Sequence, residues 1–306
     1  TSTIIGGFLN VDSVAGGTGS DTITGMDVVA IWEIDGTNTF EDDPTNRMLG
    51  FSDFENLQSG GLSDRFNVTG AQTNNILGGV GDDVIAFADL ATLTGTINGE
   101  SGSDIVDYSA YVSAGVTATV ADFISIEQII GGATALDSII GSSGNDVFAV
   151  TDMNEGTVNG ISVSSFENLD GRDGNDSFDF QTSGNLSGAV EGGNGSDSLS
   201  ISRPGLLTVN ITGAGVDTAN ATGNGVVGNE TAITGGFNNI NSVTATGSDV
   251  LNGADADATW DLDTTNTYTV GGQSATFAGF ATLNGGNQAD TFNVNSSVSF
   301  DVNGRD

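Results

Sequence analysis

The chain has 306 residues, 47 of them glycine, with no cysteine and no histidine, and 40 acidic residues against 5 basic ones leave a formal charge of -35. That balance excludes nucleic acid and anionic membrane surfaces as partners and favours cations, while the missing cysteine and histidine exclude disulfides and any Ser-His relay. A hydrophobic share of 37% with 16 phenylalanines is too apolar for a solvated acidic tail, so the sequence predicts a folded chain with a core.

No stretch approaches the roughly 18 apolar residues of a membrane span. The start at Thr1 carries no targeting pattern, and "VNGRD" at 302–306 breaks off where "DGRDGND" at 170–176 continues. Both ends therefore read as cuts in a longer polypeptide.

From residue 1 to 120, the first element is "GGTGSDTIT" at 16–24, where Asp21 is followed two residues later by Ile23. Trp32 opens "WEIDGTNTF", and "FENL" at 54–57 places Phe54 and Leu57 three apart. The Asp-x-apolar unit then returns at Asp64, Asp83 and Asp104, leading into Phe66 and Val68, Ile85 and Phe87, and Val106 and Tyr108. Apolar side chains at two and four residues past an acid have the period of a strand with one buried face. Glycine two residues before most of these aspartates marks a tight turn.

Residues 121–233 repeat the order: Ile126/Ile129, then Asp137 and Asp146, Phe148, "FENL" at 166–169, Asp176 and Asp197. The stretch 203–235 is the least regular, fitting one or two plainer turns or a projecting loop. From 234 the pattern restarts with Ile240/Val243, Asp249, Trp260 in "WDLDTTNTY", Phe280/Leu283 and Asp290. Glycine interrupts the second apolar position at Gly25, Gly141 and Gly253.

Two periods emerge: a turn-plus-strand module of about 20 residues, and three copies of a block of about 113 residues, the third cut short. A string of β-sandwich domains accounts for the longer period, but strands within one sandwich do not reuse one turn signature. The sequence therefore predicts an all-β chain, a parallel β-solenoid of the β-helix or β-roll kind. Each coil lays like side chains on like, forming one continuous rod. Variable spacers such as that between Trp32 and Phe54 are read as corner loops, and Trp32 and Trp260 as packing residues equivalent to Phe148. The ten aspartates (Asp21, Asp64, Asp83, Asp104, Asp137, Asp146, Asp176, Asp197, Asp249 and Asp290) are expected in register along the outside of the stack.

The segments "GGTGSDTIT", "GGVGDDVIA" at 78–86 and "GGNGSDSLS" at 192–200 resemble the calcium-binding nonapeptide of the repeats-in-toxin family. The "FENLxGxxGND" wording resembles large secreted repeat proteins of bacteria: adhesins, filaments and surface-layer components. The first resemblance implies calcium at the ten aspartates, although only Asp137 and Asp146 have the nine-residue spacing of tandem nonapeptides. The second implies an extracellular or cell-surface structural segment that self-associates into a filament or layer. The alternative is an adhesion module that binds extracellular glycans or a partner protein, with a polysaccharide lyase or hydrolase on a β-helix a distant third. For the latter, "EDDP" at 41–44 and "GDD" at 81–83 offer carboxylate pairs, but these read as solvated turns and no catalysis is expected.

Overall fold

The computed structural model describes residues 11–42, 47–215 and 225–305. Asp43 and Pro44 of "EDDP" therefore lie outside the described residues. Among the described residues the secondary structure is strand throughout, apart from one 3-10 turn at Val120–Asp122. Most pairings are parallel, and the chain divides into two compact units, Thr1–Val116 with Ala121–Thr134, and Thr117–Val120 with Ala135–Asp306.

In the first unit the strands Ala30–Ile34, Arg65–Val68, Val84–Phe87, Ile105–Asp107 and Gln128–Ile130 pair in parallel and in sequence order. Their register aligns Trp32, Phe66, Ile85, Val106 and Ile129 in one column, all fully buried. A second parallel file, Thr22–Thr24 to Asn56–Gln58, Asn75–Leu77, Ile97–Asn98 and Phe123–Ile124, carries Leu57, Ile76 and Ile97 inward. The cause is local: apolar residues at every second position turn one face of each short strand inside, and the glycine turns set the next strand beside the last. Gly81 and Gly102, with φ of 138° and 154°, occupy the region that a side chain disfavours.

The second unit uses the same device. Phe148, Phe178, Leu199, Val243 and Phe277 form one buried column, and Ala118, Ile139, Leu169, Val190 and Phe237 another. Fully burying each large side chain contributes about 1.5–3 kcal/mol, so these columns supply the main stabilisation.

The spacers are where the sequence reading is corrected. The residues between Trp32 and Phe54 form an antiparallel meander rather than a corner loop: Ala30–Ile34, Thr39–Asp42 and Arg47–Ser52. The same three-stranded excursion recurs at Val147–Asp152, Glu155–Val158 and Ile161–Ser164, and again at Ala258–Leu262, Thr267–Val270 and Gln273–Asn284. Each begins with one of the three aligned aromatics, Trp32, Phe148 and Trp260. The irregular stretch 203–235 contributes to a fourth excursion, Thr208–Ala214, Val226–Glu230 and Ile233–Ile240. Short polar turns close these hairpins: Asp35 Oδ1 accepts from the Thr37 amide at 2.9 Å, and Asp263 Oδ1 from the Thr265 amide at 2.7 Å.

Two of the interrupting glycines now have a reason. A Cβ on Gly25 would lie 2.9 Å from Trp32 Cζ2, and one on Gly253 the same 2.9 Å from Trp260 Cζ2. Each tryptophan ring therefore takes the volume that a side chain at the glycine would fill.

Candidate functional site

Many strands of the parallel ladders, among them Arg65–Val68, Val84–Phe87, Ile105–Asp107, Ser138–Ile140, Val147–Asp152, Ser177–Phe180 and Ser198–Ile201, begin one residue after an aspartate, and the alternation that sends the next apolar residue inward sends the acid inward too. Asp64, Asp83, Asp104, Asp137, Asp146, Asp176, Asp197 and Asp249 are each 3% exposed or less. The expected outer file of carboxylates is thus an inner one. Asp21 and Asp290 are half-buried.

What holds the acids inside is the backbone of the preceding strand. Asp83 Oδ1 accepts the Asp64 amide at 2.7 Å, 19 residues back, and Asp104 Oδ1 accepts the Asp83 amide at 2.8 Å, 21 back. In the second unit Asp176 Oδ1 takes the Asp146 amide at 2.7 Å and Asp197 Oδ1 the Asp176 amide at 2.9 Å. Asp64 and Asp249 do the same for the Ala30 and Leu207 amides, at 2.6 and 2.9 Å. Each aspartate amide precedes the regular strand pairing, so the carboxylate supplies the acceptor that a buried N–H requires.

The acidic or amide residue inside the apolar pairs plays the same part and was not singled out by the sequence reading. Glu55 accepts the Asp21 amide at 2.8 Å, Glu127 the Asp104 amide at 2.7 Å, Glu167 the Asp137 amide at 2.9 Å, and Asn241 the Asp197 amide at 2.9 Å. The signal was present: Glu55 and Leu57, like Glu167 and Leu169, are two apart and share a face. Phe280/Leu283 carries Ala281 at this place and offers no acceptor. Replacing Glu167, which also accepts from the Asn154 side-chain Nδ2 at 2.9 Å, by alanine is expected to cost about 1–3 kcal/mol in urea denaturation, and Glu167→Gln less.

The second carboxylate oxygens divide the acids into two groups. At Asp64 the Ser59 hydroxyl donates to Oδ2. At Asp146 the Ser142 amide does so at 2.8 Å, at Asp21 the Gly17 amide at 2.5 Å, and at Asp249 the Thr246 amide at 3.2 Å. At Asp83, Asp104, Asp176, Asp197 and Asp290, Oδ2 is buried and receives no hydrogen bond. In these five it lies over the glycine five residues earlier; a Cβ on Gly78 would be 2.6 Å from Asp83 Oδ2 and 2.6 Å from the Gly99 carbonyl oxygen of the next strand turn. Burial, with Asp104, Asp64 and Asp82 alongside, pushes the Asp83 carboxyl up to about 7. Burial together with Asp197, Asp146 and Asp170 does the same for Asp176, also to about 7, and burial with Glu191 nearby takes Asp197 to about 6. Burial also raises Asp64, Asp104 and Glu167.

Calcium takes about six to eight oxygens, from carboxylates, backbone carbonyls and water. At Asp83, Asp104, Asp176 and Asp197 one carboxylate oxygen is committed to an amide, while the unpartnered Oδ2 and a backbone carbonyl oxygen, of Gly99, Ser125, Gly192 and Asn239 respectively, border the same glycine. Among the described residues no group of three or more His, Cys, Asp or Glu side chains is placed to hold a metal ion.

A different feature lies in the second unit, where the excursion from Thr208 to Ile240 stands over the parallel strands and leaves a cleft of about 800 Å³. Asp170, Glu191 and Asn238 stand in register on adjacent strands along its floor, and Thr212, Asn229 and Thr234 line it.

Fold and ladder together define an internally repetitive all-β protein whose parallel strands are tied by buried side-chain-to-amide bonds. Compared with protein-family models, curated proteins and solved structures, the chain matches none of them.

Proposed function

We propose that this chain is a structural segment of an extracellular bacterial repeat protein, each unit a stretch of parallel β-solenoid, that self-associates into a filament, stalk or layer. The carrying observation is the columns of like side chains, in which parallel strands repeat one burial scheme and the Asp, Glu or Asn acceptors recur with them. Such a chain devotes its regular positions to its own cohesion, which suits a spacer. The coils of about 20 residues and the blocks of about 113 belong to this reading, with one meander per block. Calcium at the aspartates of the ladder belongs to this reading, as do divalent cations at the exposed carboxylates, because the charge of -35 must be screened for copies to approach.

Sedimentation velocity with calcium and with a chelator tests this. Concentration-dependent large species in calcium, reverting in chelator, are expected; a monomer at every concentration and in both conditions would remove the filament and layer.

The cleft favours a second reading, an extracellular glycan-binding module. Its carboxylates, amides and hydroxyls are groups that pair with sugar hydroxyls. Saturable glycan binding by the monomer, lost on substitution of Asn229, would select it.

A further inference from the structure

We propose that the cleft of the second unit selects glycans bearing free amino groups, whose ammonium hydrogens bond to Asp170 and Glu191. This rests on the glycan-binding reading above and names the sugars that the cleft accepts. Alternation sets its floor. Leu169, Val190 and Phe237 turn inward on three adjacent strands, each 5% exposed or less, so the next residue on each, Asp170, Glu191 and Asn238, faces the cleft in register. Neighbouring strands lie about 4.8 Å apart, which brings the two carboxylates within reach of one ammonium group.

Glu191 is held in place by three donors: Oε1 accepts from Asn239 Nδ2 at 2.6 Å and the Gly193 amide at 3.2 Å, and Oε2 from Asn238 Nδ2 at 2.8 Å. Asp170 commits Oδ1 to the Arg172 amide at 2.9 Å. Glu230, 4% exposed, adds a third acid to the wall, bonded to the Thr231 hydroxyl and the Ala232 amide, both at 2.5 Å. No lysine, arginine or histidine is among the residues that line the cleft, so an acidic sugar would meet carboxylates and no cation. Tryptophan and tyrosine are absent from the lining too, and Phe237 lies beneath the floor, so charge rather than ring stacking decides among sugars. Among the described residues no three acids form a group placed to hold a metal ion, whereas an ammonium, with three donors, is served by two carboxylates and a hydroxyl such as that of Thr234. A second copy of the chain is a poor occupant, since it offers five arginines and no lysine.

Calorimetric titration of the whole chain at about pH 6 and about 0.15 M salt tests this, with four probes: a β-1,4-linked glucosamine tetramer, its N-acetylated counterpart, an oligogalacturonate and tetralysine. A charge of -35 attracts any cation, so Asp170→Asn and Glu191→Gln are compared with Asp12→Asn and Asp301→Asn, which remove the same charge from exposed positions outside the cleft. The glucosamine tetramer is expected to bind one to one, at least about tenfold tighter than its N-acetylated counterpart, with no binding of the oligogalacturonate. Asp170→Asn or Glu191→Gln should weaken it about tenfold or more, and the two controls should leave it unchanged. Amide chemical shifts that move at Asp170, Glu191 and Asn238 on titration give a readout that needs no variant. An N-acetylated tetramer that binds as tightly overturns the selection by charge and leaves the glycan reading standing. No binding of any sugar removes both. Tighter binding of tetralysine transfers the cleft to a basic peptide, and equal weakening by the control variants reduces the attraction to net charge; either result overturns the proposal.

Discussion

Trp260→Ala is expected to destabilise the protein by about 3–5 kcal/mol, read as a lower midpoint in urea. The indole is fully buried, stacked on Phe292 with ring centroids 5.3 Å apart and met edge-on by Tyr268 at 4.4 Å and Phe277 at 5.7 Å. It therefore joins three consecutive parts of its excursion: the opening strand, the returning hairpin and the parallel strand that follows. The void left by alanine has poor means of closing, since Gly253 beneath the ring has no side chain to move into it. Trp260→Phe keeps the stack on Phe292 and part of the edge contacts, and is expected to cost less than half as much. The equivalent arrangement in the first unit, Trp32 stacked on Phe66 at 5.5 Å and met by Phe40 at 4.8 Å, predicts a loss of the same order for Trp32→Ala. A loss below about 1 kcal/mol at both sites would show that the columns are not the source of stability described above.

Much of this architecture was legible in the residues. Alternation after each aspartate specified short strands with one inward face, and Trp32, Phe148 and Trp260 were aligned as equivalent before their contacts were known. The meanders were not legible as strands, because their short runs, such as "TFED" and "EGTV", carry two or fewer large apolar residues and sit between turn signals that equally suit loops. The acids were placed on the wrong face for a different reason. Aspartate in a glycine-rich turn has a strong prior for solvent, yet its sequence parity with Ile85, Val106 or Phe178 already fixed its direction. Local composition argued one way and strand geometry the other, and geometry prevailed because the buried amide of the preceding strand needed an acceptor. The role of Glu55 and Glu167 follows from the same parity, which makes "FENL" a structural phrase: apolar anchor, amide acceptor, strand, apolar anchor.

Stability is expected to fall as pH rises from about 5 to about 8, the reverse of the usual acid-labile pattern. The unfolded chain releases the aspartate protons near the ordinary value of 3.8, whereas Asp83 and Asp176 hold theirs to about 7 and Asp197 to about 6. Between those values the folded state binds more protons, so the unfolding free energy decreases with pH. Their contribution is complete below the unfolded value and is lost as pH passes the folded one. Over this range the loss is on the order of 2 kcal/mol from each of Asp83 and Asp176, or several degrees in melting temperature. Asp89, lowered by the Ser113 hydroxyl and the Val112 amide, works in the opposite sense and only at the acid end. Repulsion among the exposed carboxylates also weakens the folded state as pH rises, and salt separates the two causes. At about 1 M salt the screening length is about 3 Å, which removes most surface repulsion and leaves buried groups nearly untouched. A thermal profile that keeps its downward slope in high salt assigns the effect to the ladder. A profile that salt flattens places it on the surface, and the buried acids would then have to be ionised and satisfied in some other way.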